Sequence, residues 1–218
     1  MTDTPRAVAR GRFISLEGGE GAGKSTLLAG LRQHLEQHGV TVLQVREPGG
    51  TALGEAVRGI VLDPALHGLS AEAELLLMFA SRAQLVRERI APALAAGQWV
   101  LCDRFADASY AYQGGGRGQP PQRIAALEQW ACDGVVPDMT LLLDLPVATG
   151  RARAAGRGAA DRIEAEADAF FERVRATYRQ RAAAEPARFR LIDASLPAAA
   201  VLAAANVAVD ALLREVRA

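Results

Sequence analysis

Residues 12–25, with the sequence RFISLEGGEGAGKS, decide the fold of this chain. Residues 12–17 form a short apolar run typical of a buried strand, and residues 18–25 match the pattern G-x-x-x-x-G-K-[ST] at each fixed position. In such a loop, glycines let backbone N–H groups face phosphate oxygens, and the N-terminus of a following helix adds the positive end of its dipole. A helical pattern does follow, from about residue 23 to 38. The stretch therefore predicts a P-loop that binds nucleotide phosphates through Gly18, Gly19, Glu20, Gly21, Ala22, Gly23, Lys24, Ser25 and Thr26.

Two positions of this loop carry its chemistry. Lys24 is the single lysine in a chain with 24 arginines, which indicates a position where an ammonium group is needed. It can reach the β- and γ-phosphates of a nucleotide, and the hydroxyl group of Ser25 can bind Mg²⁺. An acidic partner for the metal is expected at the end of a neighbouring strand. Asp103, directly after the apolar run 99–102, is the first candidate, and Asp144 is the second.

The rest of the chain alternates between short apolar runs and longer helical patterns. The apolar runs lack strict alternation, which indicates strands covered on both faces. One helical pattern is continuous over residues 70–96. This order predicts an α/β fold of the P-loop NTPase type, a three-layer sandwich in which helices flank a five-stranded parallel sheet, in a single domain spanning residues 1–218. The strands are expected at residues 12–17, 40–45, 99–102, 139–145 and 189–192.

The composition excludes several classes of protein. Acidic and basic residues number 25 each, so the chain has no overall positive field for binding nucleic acid or a membrane surface. Cys102 and Cys132 lack the spacing of a zinc site or a disulfide framework. Residues 1–11 contain charges but no apolar signal-peptide core, and we expect them to form a flexible tail. A cytoplasmic protein is therefore expected.

Among P-loop proteins, the sequence favours a kinase that acts on a small phosphorylated acceptor. A GTPase would need a second lysine in its guanine-binding motif, and this chain has none. Arg46 and Arg104 stand at the ends of two predicted strands, where they can bind an acceptor phosphate. The segment 151–162 is rich in arginine, glycine and alanine and is expected to be a mobile lid. A non-catalytic nucleotide sensor is the alternative from another class.

Five short segments together carry a resemblance to a known family. They are EGGEGAGKS at 17–25, REPGGT at 46–51, DRF at 103–105, AYQG at 111–114 and DRIE at 161–164. In their order and spacing the chain resembles thymidylate kinases from about residue 12 to 195. The resemblance implies transfer of the γ-phosphate of ATP to dTMP with Mg²⁺, giving ADP and dTDP for dTTP synthesis, in a homodimer. A kinase for another nucleoside monophosphate or for a deoxynucleoside is the alternative.

The resemblance also implies roles for individual side chains at the acceptor. Glu20 would hold the 3′-hydroxyl group of the sugar, and Tyr112 would lie against the deoxyribose. Arg46 and Arg104 would bind the 5′-phosphate. The base itself would be held by Phe79, which would stack on it, and by the polar side chains of Arg82, Ser109 and Gln113.

The position of the catalytic arginine follows from the same resemblance. Some members carry it in the P-loop, but the variable positions of this P-loop hold no basic residue. The chain therefore resembles the bacterial type with a lid arginine, and Arg153 and Arg157 are the candidates, acting with Lys24 and Asp103. Two positions depart from the family pattern. Met78 stands where an aromatic residue is usual, so that either Met78 or Phe79 covers the base, and Ala155 stands where a basic residue is frequent.

Three features are set aside. His34 and His38 have the i, i+4 spacing of a metal-binding pair, but without a third ligand nearby they are interpreted as part of a solvated helix face. His67 is expected in a loop. Residues 114–118, GGGRG, are interpreted as a flexible connection, in which Arg117 is a candidate to assist in ligand binding.

Overall fold

A computed structural model describes residues 10–155 and 160–217 of the chain. Within these ranges, five strands form one parallel sheet: β1 (Phe13–Gly18), β2 (Val42–Arg46), β3 (Trp99–Asp103), β4 (Met139–Asp144) and β5 (Phe189–Asp193). Their spatial order is β2-β3-β1-β4-β5. The strand that leads into the P-loop therefore lies at the centre of the sheet. The predicted α/β class and parallel sheet are confirmed, with each strand within two residues of its expected bounds.

Helices connect the strands, and two of these helices have a side-chain cap at the N-terminus. The hydroxyl groups of Thr51 and Ser70 accept hydrogen bonds from the N–H groups of Gly54 and Ala73, at 3.0 and 3.2 Å. The helical region predicted at residues 70–96 is continuous through a π-helical turn. The described helices are α1 (Lys24–Gln37), α2 (Ala52–Leu62), α3 (Ala71–Leu85), α4 (Ala91–Ala95), α5 (Ala106–Ser109), α6 (Pro121–Cys132), α7 (Val147–Ala154), α8 (Asp168–Ala184) and α9 (Ala198–Arg217), with π-helical turns at Val86–Ile90 and Tyr110–Gly116.

Side chains of the strands alternate between the two faces of the sheet and bury both. On one face, Ile14 and Leu141 lie in a core cluster with residues of α1 and α9. On the other face, Phe13 and Val100 pack with α3 and α4, while Leu142 packs with α8. Helices on both faces give the three layers that the sequence predicted.

The strand register brings the functional segments to one edge of the sheet. Arg46 at the end of β2 pairs with Asp103 at the end of β3, and Asp103 pairs with Leu16 of β1. The P-loop follows β1 at this same edge, and α1 begins at Lys24. The carboxyl edge of an open parallel sheet is where ligands bind in α/β proteins.

Two segments differ from the prediction. The expected loop at 151–162 begins too early, because residues 151–154 belong to α7. Alanine and arginine have high helix propensities, and here they form a helix without apolar periodicity. The tail expected at 1–11 is too long, since the N–H of the buried Gly11 donates to the carbonyl of Leu94 at 2.8 Å. Arg10 also pairs with Asp138 at 3.0 Å. Residues 1–9 lie outside the described ranges.

Candidate active site

The P-loop adopts a conformation that requires glycine. Gly21 has a φ of 69°, and a Cβ atom at this position would lie 2.0 Å from the carbonyl oxygen of Gly150 in α7. A side chain at Gly150 would in turn clash with the carbonyl of Glu20. The two glycines let the P-loop and α7 approach closely, so that the helix leading into the segment 151–162 begins against the phosphate-binding loop.

Lys24 is buried at the start of α1. Its Nζ atom donates to the carbonyl oxygens of Gly18 and Gly19 at 3.1 and 3.0 Å. Burial, together with the positive charge of Arg104, lowers the pKa of Lys24 from 10.5 to about 8. Phosphate oxygens near Nζ would favour the charged form and reverse this shift. The ammonium group is thus held in the loop, where an anionic ligand would stabilise its charged form.

A cavity of about 330 Å³ lies over the carboxyl edge of the sheet. The P-loop forms one wall of this cavity, the nucleotide cavity hereafter. Ser25 and Asp103, the predicted metal ligands, both line it. Asp144 is occupied elsewhere, since Arg175 and Arg179 bind its carboxylate at 2.7 and 2.9 Å and lower its pKa. The other predicted residues that line the cavity are Glu20, Gly21, Ala22, Gly23, Lys24, Thr26, Arg46, Arg104, Tyr112 and Gln113.

Arg104 joins the P-loop to the far wall of the nucleotide cavity. Its backbone has a φ of 69°, which is uncommon for a residue with a side chain. Nη2 donates to Glu20 at 2.7 Å and to the hydroxyl group of Tyr112 at 2.9 Å, and Nη1 donates to the carbonyl of Gly18 at 2.9 Å. Tyr178 of α8 is a further partner, at 3.2 Å, which the sequence analysis missed. The guanidinium group is therefore fixed by four groups, one each from β1, the P-loop, the π-helical turn Tyr110–Gly116 and α8.

Glu17, directly before the P-loop, is a buried carboxyl group that binds two neighbours of Arg104. Its two carboxyl oxygens accept hydrogen bonds from the N–H of Phe105 and the hydroxyl group of Tyr178, each at 2.7 Å. Burial, together with the negative charge of Asp107, raises the pKa of Glu17 from 4.5 to about 8. The sequence signal was present, because a carboxylate in an apolar strand needs a specific partner.

Two arginines, not one, approach the nucleotide cavity from the β2 side. Arg46 is half exposed and pairs with Glu55 at 2.8 Å. Arg58 of α2, which the sequence analysis missed, also lines the cavity and donates to the carbonyl of Pro48 at 3.1 Å. Burial and the neighbouring charge of Arg46 lower the pKa of Arg58. Two like charges at one wall indicate a place for an anion.

Arg82 and Ser109, which were predicted to hold the base, are buried behind the wall of the nucleotide cavity. Arg82 is fully buried and does not line the nucleotide cavity. Its Nε donates to Glu47 at 2.7 Å, its Nη1 to Ser109 at 3.0 Å and its Nη2 to the carbonyl of Phe105 at 3.1 Å. A guanidinium without water needs a buried anion, and Glu47 provides it. Arg82 and Ser109 thus bind each other behind the cavity wall, and their contacts to a base stay a prediction.

Phe79, which was predicted to stack on the base, also lies away from the nucleotide cavity. Met78 lines the nucleotide cavity, whereas Phe79 packs with Leu75 and Ile124 in a separate core cluster. The Phe79 ring lies under the guanidinium of Arg82, at 4.5 Å from ring centroid to Cζ. Of the two candidates for covering a base, the fold brings Met78 to the cavity.

A buried carboxylate organises the wall around Gln113. Glu74 of α3 accepts hydrogen bonds from Gln113 at 2.9 Å, from Arg117 at 3.2 Å and from Arg162 at 2.5 Å. Arg117 also binds Glu166. The carboxamide oxygen of Gln113 has no hydrogen-bond partner among the described residues. Arg117 is therefore structural, and Gln113 carries an unused acceptor beside the cavity.

The arginines of the segment 151–162 are distributed differently from the prediction. Arg153 donates to the carbonyl oxygens of Ala194 and Ser195 at 2.7 and 3.2 Å. It lines a second cavity of about 360 Å³ between the P-loop and the chain after β5, and does not line the nucleotide cavity. Arg151 pairs with Asp168 at 3.0 Å. Arg157, the other candidate for catalysis, lies outside the described residues.

Comparisons with known proteins find relatives over most of the chain. A sequence model of the family described as thymidylate kinase matches residues 16–205. A thymidylate kinase of Pseudomonas savastanoi is 56% identical over 203 residues, covering 93% of this chain and 97% of the relative. One of Alkalilimnicola ehrlichii is 54% identical over 198 residues, covering 90% of this chain and 91% of the relative.

A solved structure extends the agreement to three dimensions. The crystal structure of thymidylate kinase from Ehrlichia chaffeensis superposes with a TM-score of 0.70 at 33% sequence identity. The superposition covers 84% of this chain and 87% of that one. Sequence, fold and the matched span of residues lead to the same assignment: this chain belongs to the thymidylate kinase family.

Proposed function

We propose that this chain is a thymidylate kinase that transfers the γ-phosphate of ATP to dTMP and releases ADP and dTDP. One observation carries the proposal: a single cavity contains the P-loop with Lys24 and, facing it, the arginines Arg46 and Arg104. The P-loop suits a phosphate donor. The arginines suit a second phosphate, that of an acceptor.

The donor half of the site is assigned to the P-loop. Backbone N–H groups of residues 18–26 and the ammonium of Lys24 bind the β- and γ-phosphates. A hydroxyl and a carboxylate, those of Ser25 and Asp103, are oxygen ligands of the kind that Mg²⁺ prefers, and both line the nucleotide cavity. Mg²⁺ held by these two residues would supply positive charge that neutralises part of the charge of the phosphates.

The acceptor half is assigned to the opposite wall. Arg104, Arg46 and the newly found Arg58 bind the 5′-phosphate of dTMP. Glu20 and Tyr112, already joined by a 3.0 Å hydrogen bond, hold the sugar. Gln113 supplies its carboxamide to the edge of the thymine, and Met78 packs against the base.

The reaction is a displacement at the γ-phosphorus. A 5′-phosphate oxygen of dTMP forms the new P–O bond, while the bond to the oxygen bridging the β- and γ-phosphorus atoms breaks, and that oxygen leaves with ADP. Catalysis of such a step depends on positioning and on charge stabilisation of the transferring group. Lys24 supplies fixed positive charge, and an arginine of the segment 151–162 supplies more when that segment closes over the site and excludes water.

We also propose that the protein is a cytoplasmic homodimer. Support for a dimer comes from α3 and α6, which carry exposed apolar side chains: Leu76 is 57% exposed and Trp130 is 82% exposed. Within the described ranges, no helix is both long enough and apolar enough to cross a bilayer. Analytical ultracentrifugation of the purified chain measures the oligomeric state, and a monomer at micromolar concentration contradicts the dimer.

A steady-state assay with ATP and Mg²⁺ tests the assignment of the substrate. The acceptors to compare are dTMP, dUMP, UMP, CMP, AMP and thymidine, each ranked by kcat/KM. The proposal requires the highest value for dTMP, and dUMP is the analogue expected to follow. A preference for UMP, CMP, AMP or thymidine indicates a different kinase. ATP binding without turnover on any acceptor indicates the nucleotide sensor.

A further inference from the structure

A cluster of two histidines and an aspartate lies outside the nucleotide cavity. His34 and His38 belong to α1, and Asp210 belongs to α9. His34 Nε2 lies 2.7 Å from Asp210 Oδ1, and the two imidazole rings have centroids 4.5 Å apart. One ligand atom from each of the three residues lies within 4.8 Å of the other two. The fold thus brings to the histidine pair the third ligand that is missing nearby in the sequence, from 176 positions after His34.

We propose that His34, His38 and Asp210 form a binding site for a divalent transition-metal ion, with Zn²⁺ as its best fit. Imidazole nitrogen and carboxylate oxygen together suit Zn²⁺, and three protein ligands with one position left for water is a common coordination. Mg²⁺ prefers oxygen ligands alone, so the site and the Mg²⁺ site of the P-loop select different ions.

A hydrogen bond of His38 to the backbone orients its ring for metal binding. His38 Nδ1 lies 2.8 Å from the carbonyl oxygen of His34. A carbonyl can only accept a hydrogen bond, so Nδ1 carries the proton, and in the neutral ring the lone pair then belongs to Nε2. Metal-binding histidines are usually oriented in this way, with the other ring nitrogen donating to a carbonyl or a carboxylate.

Binding at His34 and Asp210 requires only a small movement. The bridging proton between Nε2 and Oδ1 would be replaced by the metal ion. Ligand atoms about 2.0–2.1 Å from a tetrahedral zinc are roughly 3.3 Å apart, so the observed 2.7 Å separation has to widen by about half an ångström. Both side chains have room for this, because that of His34 is 17% exposed and that of Asp210 is 37% exposed.

The position of the cluster predicts what the ion would do. His34 is ten residues after Lys24 in α1, or about 15 Å along the helix at 1.5 Å per residue. The ion would therefore bind far from the transferring phosphate. It would tie α1 to α9, whose side chains already pack together through Leu31 and Val209. We expect an effect on thermal stability rather than on the chemical step.

Zinc titration of the tag-free, full-length protein tests the proposal. Metal is first removed with a chelator, and Zn²⁺ is then added during isothermal titration calorimetry with excess Mg²⁺ present. We expect one Zn²⁺ per chain with a Kd in the micromolar range or below. His38→Gln and Asp210→Asn should each weaken binding by about tenfold or more, since both remove a ligand. His67→Gln is the matched control, because His67 is exposed and outside the cluster, and its Kd should equal that of the wild type.

Thermal denaturation tests the zinc site without any assay of activity. A negative result therefore counts against the zinc site and not against the proposed kinase reaction. Saturating Zn²⁺ should raise the Tm of the wild type and of His67→Gln by several degrees and leave that of His38→Gln nearly unchanged. His38 is exposed, so its replacement does not endanger the fold. Equal Zn²⁺ affinity in the wild type and His38→Gln would overturn the proposal, as would no binding at about 100 μM Zn²⁺. In the latter case, His34 and Asp210 are an ion pair between helices.

Discussion

Arg104 Nη2 donates to Glu20 Oε1 over 2.7 Å, which links the end of β3 to the P-loop through one ion pair. Both side chains are largely buried, at 15% and 21% exposure. The pair holds Arg104, which follows β3, against Glu20 of the P-loop. In the proposed function both residues bind the acceptor, so the loop that binds the donor would also position the acceptor, which an in-line transfer requires.

Arg104→Lys should therefore be severe although it keeps the charge. Lysine cannot reproduce the fork that contacts Glu20, Tyr112 and Gly18 together. We expect kcat/KM for dTMP to fall by about 10²-fold or more, measured at saturating ATP and Mg²⁺. Arg87→Lys is the control, because its pair with Asp133 is exposed and 3.6 Å long. Similar losses in both variants would mean that the geometry of Arg104 is unimportant.

Glu17 makes stability depend on pH. Its pKa is raised from 4.5 to about 8, so the folded state holds a proton that the unfolded state has already released in this interval. The contribution of Glu17 to stability is complete below about pH 4.5 and is lost as pH rises toward about pH 8. Glu17→Gln mimics the neutral acid and does not titrate. The difference in Tm between Glu17→Gln and the wild type should therefore move in favour of the variant from about pH 5 to about pH 8. A difference that is constant with pH contradicts the raised pKa.

Glu74→Gln should destabilise the hydrogen-bonded network that holds Gln113 at the nucleotide cavity. The substitution removes the anion shared by Arg117 and Arg162 in a position that is only 1% exposed. We expect a loss of about 3 kcal/mol in the free energy of unfolding, measured by urea denaturation, and a higher KM for dTMP. Glu72→Gln is the same substitution at an exposed position of α3. It should change neither quantity, and an equal loss in both variants would show that the buried network contributes nothing.

The sequence predicts the strands and the P-loop of this protein better than it predicts which side chains bind each other in the site. The five strands are recognisable because they are apolar runs, and the P-loop because its phosphate chemistry allows few residues at its fixed positions. In contrast, Tyr178 reaches Glu17 from 161 positions away, and Arg162 reaches Glu74 from 88 positions away. No local pattern encodes such pairs. They arise only when α3 and α8 pack against the sheet.

Neighbouring positions on α3 are a second place where the sequence alone leaves the assignment open. Phe79 and Met78 are both apolar residues of α3, and the chemistry of stacking favours the aromatic one. In the structure, Met78 lines the nucleotide cavity and Phe79 does not, and Arg82, one turn along α3, is buried against Glu47. The predicted loop at residues 151–154 was wrong for a different reason. Residues with high helix propensity form a helix there, but the segment lacks the apolar periodicity by which a helix is usually recognised in a sequence.

Met78→Ala and Phe79→Leu separate the two roles. Met78 lines the nucleotide cavity, so Met78→Ala should raise KM for dTMP by roughly tenfold through lost contact with the base. Phe79 packs under Arg82 in the core, so Phe79→Leu should lower the free energy of unfolding by about 1–2 kcal/mol and leave KM unchanged. Steady-state kinetics and urea denaturation of both variants measure these effects. If Phe79→Leu raises KM for dTMP more than Met78→Ala does, then Phe79 and not Met78 contacts the base.

Arg153 and Arg157 should differ in the kinetic step that each supports. Arg153 is bound to two carbonyl oxygens after β5 and lines the second cavity together with Gly23 and Thr26 of the P-loop. Its loss removes a contact on the donor side that exists before the reaction begins. Arg153→Ala should therefore raise KM for ATP and change kcat little.

Arg157→Ala should show the opposite pattern. In the proposed function, an arginine of the segment 151–162 contacts the transferring group mainly when charge develops on it. Loss of such a contact lowers kcat while KM for ATP and dTMP stays nearly constant. An arginine supplied to a phosphoryl transfer contributes about 10³-fold or more, which sets the expected fall in kcat. Arg153→Ala is the matched comparison, since it is the same substitution four positions earlier. If kcat falls equally in both variants, the two arginines act together in the transition state, and the contacts of Arg153 after β5 must break during closure.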